Sequence, residues 1–159
     1  MGTVRLSEEL YRALTGKTYG PFTVAVTAER IRSYAEATGD NDPIRHDRSA
    51  ARAAGYRDIV APPTLGFTLL LMARQPDLAL ADFGLTVNEA LHGEQSFTYG
   101  APICAGDILT GSQRITDVRE KKRGTLLLVV TVAQLGNELG EQVLETSLTS
   151  IVPLVRLRS

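Results

Sequence analysis

A chain of 159 residues can bury one continuous core and is short of the length at which chains usually divide, so residues 1–159 are expected to form one domain. Aliphatic and aromatic residues make up 43% of the sequence and the formal charge is −1, which argues against a disordered chain and against the basic excess of a nucleic-acid binder. A lone cysteine, Cys104, excludes an internal disulfide, and with no His/Cys cluster beside it no metal site is expected.

These features suit a reducing, cytoplasmic location. The start of the chain, MGTVRLSEELYRALTGK, lacks the apolar core of a signal peptide. The longest apolar stretch, Leu65 to Ala73, is far short of the roughly 20 residues of a membrane span. The charged run Arg119 to Arg123 lies between strand patterns and reads as a solvated turn.

In chain order, Phe22 to Val26 is a short apolar run after Gly20 and Pro21, and Thr27 is placed to cap a following helix. In that helix Ile31, Tyr34, Ala35 and Thr38 recur at helical spacing while Glu29, Arg30, Arg32 and Glu36 lie elsewhere, and Gly39 ends it. Asp40 to Asp58 is polar and turn-rich, with a bend at Asp42 and Pro43 and a short helical piece over Ser49 to Ala54. Pro62 and Pro63 then open a segment, Thr64 to Arg74, that is apolar on nearly every side and must be surrounded by protein, with Gln75 and Pro76 ending it.

After a loop over Leu80 to Asn88, strand patterns cover Gly93 to Tyr99, Asp107 to Val118, Thr125 to Leu135 and Gln142 to Val152. Short connections at Lys121 to Gly124 and Gly136 to Gly140 make the last three an antiparallel meander. The expected architecture is α+β, a long central helix wrapped by a curled antiparallel sheet. Such a sheet leaves an edge exposed, and pairing with a second unit removes it, so a dimer is expected.

Reactive groups concentrate in GDNDPIRHD, Gly39 to Asp47, which sets Asp40, Asp42, His46 and Asp47 in one loop after a helix. Asp40 there can act on a proton or can simply order the bend with its carboxylate, and His46 can be its partner or a surface residue. His92 and Glu94 read as a strand-end hydrogen-bonding residue and a solvated strand carboxylate. Cys104 reads as inert, because nothing near it in sequence lowers a thiol pKa.

Together with AGY at Ala54 to Tyr56, IVAPPT at Ile59 to Thr64, HGEQ at His92 to Gln95 and AGD at Ala105 to Asp107, the loop resembles the MaoC-like hydratase/dehydratase family, in its N-terminal, fatty-acid-synthase-type form. The resemblance covers nearly the whole chain and implies a hotdog fold and chemistry on acyl thioesters, carried by coenzyme A or acyl carrier protein. The family motif has the form GDxNPLHxD, its Asp and His activating water for addition to an enoyl thioester or running the reverse elimination. Anchored on Pro43, the family Asp falls on Asp40, whereas the His position holds Arg45 and His46 is displaced by one. A permanently cationic guanidinium cannot serve as a general base. Catalytic members also use the backbone N–H of a Gly at the start of the buried helix as an oxyanion donor, and Pro63, with no N–H, stands there.

Three readings follow. The first is an (R)-specific enoyl-thioester hydratase or 3-hydroxyacyl-thioester dehydratase in which this chain is the acyl-binding subunit, paired with a catalytic hotdog chain, with Arg45, Pro63 and Thr64 on the substrate side. The second is a self-sufficient homodimeric hydratase using Asp40 and His46 as its catalytic pair. The third is an acyl-thioester binding module without catalysis. No cofactor is implied by any of them, because hydration moves only water and protons.

Overall fold

The computed structural model describes residues 8–73 and 77–153. Helix α1 (Glu8–Leu14) leads into β1 (Thr18–Ala25), and α2 (Ala28–Thr38) follows. The cap of α2 is the expected one: Thr27 accepts the N–H of Arg30 at 3.2 Å, satisfying a backbone donor that the first helical turn leaves free. Its buried face is Ile31 and Ala35, with Tyr34 half-buried beside them. Thr38, expected on the same stripe, is exposed instead, because its hydroxyl bonds back to the Tyr34 carbonyl at 2.9 Å. Gly39 ends the helix at φ 71°, a left-handed conformation that costs glycine nothing.

A single 3₁₀ turn, Pro43–Arg45, and α3 (Arg48–Ala53) occupy the polar loop. Helix α4 (Leu65–Ala73) buries Leu65, Gly66, Leu69 and Leu70, and α5 (Leu78–Ala81) and a turn at Val87–Glu89 precede the remaining strands. These are β2 (Leu91–Tyr99), β3 (Ile108–Lys121), β4 (Leu126–Gly136) and β5 (Gln142–Pro153). The expected end of the buried helix at Gln75 and Pro76 lies outside the described residues. Helices α1 and α5 were not expected from the sequence; both are short and are held by packing, with Leu14, Ala79 and Leu80 in the core.

All five strands form one antiparallel sheet in the order β1-β3-β4-β5-β2, the last three strands in sequence making the expected meander. The run Arg119 to Arg123 is exposed, but only Lys122 and Arg123 lie in the β3–β4 turn; Arg119 to Lys121, expected in it, end β3 and pair with Leu128 to Leu126. The sheet wraps a core in two parts. One joins α2 and α4 to Val24, Leu109, Leu135 and Leu144. The other joins α1 and α5 to Tyr19, Ile115, Leu127, Val129 and Val152. Helix α4 lies within the first, and a Cβ on Gly66 would meet Leu144 at 3.0 Å and Ile103 at 3.2 Å, so the small residue sets how closely helix and sheet approach. Truncating the fully buried Leu69 to Ala would cost about 2–5 kcal/mol. Among the described residues no helix is long and apolar enough to cross a membrane.

Candidate functional site

The polar loop is a chain of local hydrogen bonds that uses each reactive side chain in turn. Asp40 accepts the N–H of Asp42 on Oδ1 at 3.1 Å and the Arg45 Nε on Oδ2 at 3.2 Å. Asp42 caps the 3₁₀ turn through the N–H of Ile44, and Asp47 caps α3 through the N–H of Ser49. The His46 ring does not meet the Asp40 carboxylate; its Nε2–H donates to the Asp40 carbonyl oxygen at 2.8 Å, while Arg32 holds the His46 carbonyl at 3.0 Å. The structure therefore brings Asp40 to Arg45 through side chains and to His46 through backbone.

Arg45 is the centre of the loop. Besides the ion pair with Asp40, its Nη1 donates to the carbonyls of Val60 at 3.2 Å and Ala61 at 3.1 Å, just before the prolines that lead into α4. A guanidinium has five donors in a fixed fork, and here it bonds three acceptors from two segments, Asp40 on one and the Val60 and Ala61 carbonyls on the other, about twenty residues apart. Its side chain, 14% exposed, also lines a cavity of about 190 Å³ with Tyr56, Pro62, Pro63, Tyr99 and Ile103. Pro63 is exposed at the mouth of α4, and the next residue, Thr64, is fixed by a 2.9 Å hydrogen bond between its hydroxyl and the Tyr34 hydroxyl.

The structure also shows an element that the sequence reading passed over. In AGD, Asp107 is 3% exposed and takes a bidentate ion pair from Arg57, at 2.9 and 3.2 Å, together with the N–H of Cys104 at 2.9 Å. That pairing holds the start of β3 against the segment that runs into α4, and raises the Arg57 guanidinium further through its hydrogen bond to Asp107. The signal was present, since a carboxylate behind Ala-Gly at a strand start needs a cation once buried, but the partner lies fifty residues away in sequence. Burial pushes the Cys104 thiol up, which makes it a poor nucleophile. His92 sits on edge strand β2 and stacks edge-on to Phe67 of α4, Glu94 is exposed on the other face, and Gln95 donates to Thr146 at 3.1 Å.

Residues 13–146 match the family model described as the FAS1-like, dehydratase domain region. The chain belongs to the FAS1-like dehydratase domain family. The chain is 34% identical over 144 residues to a UPF0336 protein of Streptomyces avermitilis, spanning 90% of this chain and 94% of the relative. Over 93 residues it is 43% identical to a UPF0336 protein of Clavibacter michiganensis, spanning 58% and 62%. Among solved structures it is similar to the HadBC (3R)-hydroxyacyl-ACP dehydratase complex of Mycobacterium tuberculosis, with a TM-score of 0.71 and 27% identity over 87% of this chain and 96% of that one. A MaoC-like dehydratase superposes at a TM-score of 0.77 with 26% identity, over 90% of this chain and 43% of that one. The MaoC-like resemblance and the hotdog architecture are thus both met, and the family chemistry is that of hydratases and dehydratases.

Proposed function

We propose that this chain is the acyl-thioester-binding subunit of an (R)-specific enoyl-thioester hydratase or 3-hydroxyacyl-thioester dehydratase, paired with a second hotdog chain that carries the acid/base groups. The observation that carries the reading is Arg45. It occupies the family's His position, and its ion pair with Asp40 ties up the carboxylate that would otherwise share proton transfer. Pro63 adds to this by lacking the N–H that a thioester oxyanion would need at the start of α4.

Deprived of a base and a donor, the loop still builds a wall. Arg45 and Pro63 line the cavity beside α4, and Thr64 is anchored next to them, which suits the substrate side of a shared site. The mycobacterial HadBC structure is a complex of a dehydratase, which favours a two-chain assembly over a lone subunit. In this assembly water and protons move on the partner's Asp and His, and the present chain holds the acyl group in line with them.

The test is an activity assay on crotonyl-CoA, with the purified chain alone and then co-expressed with a hotdog chain bearing an intact GDxNPLH loop. No turnover is expected alone, and hydration above the partner's own rate is expected together. Full enzyme rates from the chain alone would establish the self-sufficient hydratase instead. Tight acyl-CoA binding with no turnover in any pairing would establish a binding module.

A further inference from the structure

The HGEQ segment is not used by the loop described above, yet its geometry is unusual. Strand β2 pairs with β5, and its register shifts between His92 and Glu94, so Gly93 is an extra residue in the ladder. Without that bulge, alternation would set His92 on the outer face with Glu94 and Ser96. With it, His92 falls on the inner face with Gln95 and Phe97, against Phe67 of α4. Only glycine fits the bulge: a Cβ at position 93 would lie 2.8 Å from Ile151 Cδ1 and 2.9 Å from the Thr149 carbonyl oxygen.

The turned-in imidazole lines a cavity of about 200 Å³ whose walls include Phe67, Leu71, Leu80 and Leu148. Ser150, directly across the ladder from His92, lines the same cavity. It is only 9% exposed, and among the described residues its hydroxyl has no hydrogen-bond partner; neither has the His92 ring. A buried hydroxyl without a partner from its own chain is rare, and water or a ligand normally completes it.

Asp77 lines the cavity as well, but its carboxylate caps α5 through the N–H of Ala79, and neither His92 nor Ser150 hydrogen-bonds the other. The three therefore do not form a nucleophilic relay. We propose that this cavity is a subsite for an acyl chain bearing a hydroxyl group away from the thioester, with the apolar walls taking the methylenes. In it the Ser150 hydroxyl and the His92 ring hydrogen-bond the chain's oxygen, one accepting and the other donating. The inference rests on the acyl-thioester reading and specifies its substrate class.

The test is calorimetric binding of dodecanoyl-CoA and its 8-, 10- and 12-hydroxy derivatives to the full chain. At least one derivative is expected to bind about tenfold more tightly than the parent, the effect of one to two net hydrogen bonds. In Ser150→Ala and in His92→Phe that ratio is expected to fall to within about twofold of one. His92 is exposed, so its variant keeps the test open if the Ser150 variant does not fold. Equal affinity for all four ligands, no binding of any, or a preference that survives in both variants overturns the proposal. Crotonyl-CoA lacks a distal hydroxyl, so turnover by the two-chain complex without hydroxyl preference sinks this inference alone, and hydroxyl preference without turnover sinks the catalytic pairing alone.

Discussion

Two arginine–aspartate pairs lie on either side of the segment that enters α4, and they are built differently. Arg57 grips Asp107 with two hydrogen bonds, and the carboxylate, 3% exposed, also takes a backbone N–H. Arg45 meets Asp40 through one bond of 3.2 Å, with both side chains partly open to water, and spends its other contacts on two carbonyls. The first has the geometry of an architectural clamp, fully supplied with donors. The second occupies the place of an acid/base pair and replaces reactivity with a fixed charge. A stability measurement should therefore separate them before any assay does.

Between the two pairs, the larger expected effect is Asp107→Ala. It leaves the buried Cys104 N–H without its acceptor and frees Arg57, at a cost of about 3 kcal/mol in urea unfolding. Arg45→Ala should cost less, about 1–2 kcal/mol, because Asp40 can reach water once released and only the Val60 and Ala61 carbonyls lose a donor. If Arg45→Ala proves the more damaging, the loop is an architectural clamp and its reading as a displaced catalytic pair weakens.

A smaller effect lies on the acid limb of stability, through Asp82 and Asp58. Burial pushes the Asp82 carboxyl up, but hydrogen bonds from Lys17 and Tyr19 outweigh it and hold the group below its usual range; Asp58 behaves alike, burial being outweighed by the Ile59 N–H and Arg48. Folded values below the unfolded value of about 4 mean stability that is present above pH 4 and is lost as pH falls further. Stability should hold to about pH 4 and decline below it, less steeply in Asp58→Asn and Lys17→Met. Tyr19 is raised, first by burial and then by Asp82, so its contribution should be kept up to about pH 10 and lost above it.

Much of this was legible from local pattern. The strands follow from runs bounded by turns such as Lys122 to Gly124, and the helix α4 from an apolar segment, although it is not enclosed all round as expected: Leu65, Gly66, Leu69 and Leu70 are buried and Met72 is exposed. Arg45 at the His position and Pro63 at the Gly position could be read directly, because a motif is a matter of neighbours in sequence. What escaped was tertiary. Arg45 reaches carbonyls fifteen and sixteen residues on, Asp107 finds Arg57 fifty residues back, and α1 and α5 exist because Leu14 and Leu80 fill the second core rather than through any capping or propensity signal strong enough to stand alone. The bulge at Gly93 was equally hidden, since the residues of β2 alone do not say which of them will be left unpaired by β5.

The central claim is that proton transfer belongs to the partner and not to this loop. It is tested most directly by hydration rates of the two-chain complex with Asp40→Asn and His46→Ala here, set against the matching Asp and His variants of the partner. The account predicts kcat within about twofold of the parent complex for the variants of this chain, and a loss of at least about a hundredfold for those of the partner. Loss of turnover in Asp40→Asn and His46→Ala, with the fold intact, would contradict it.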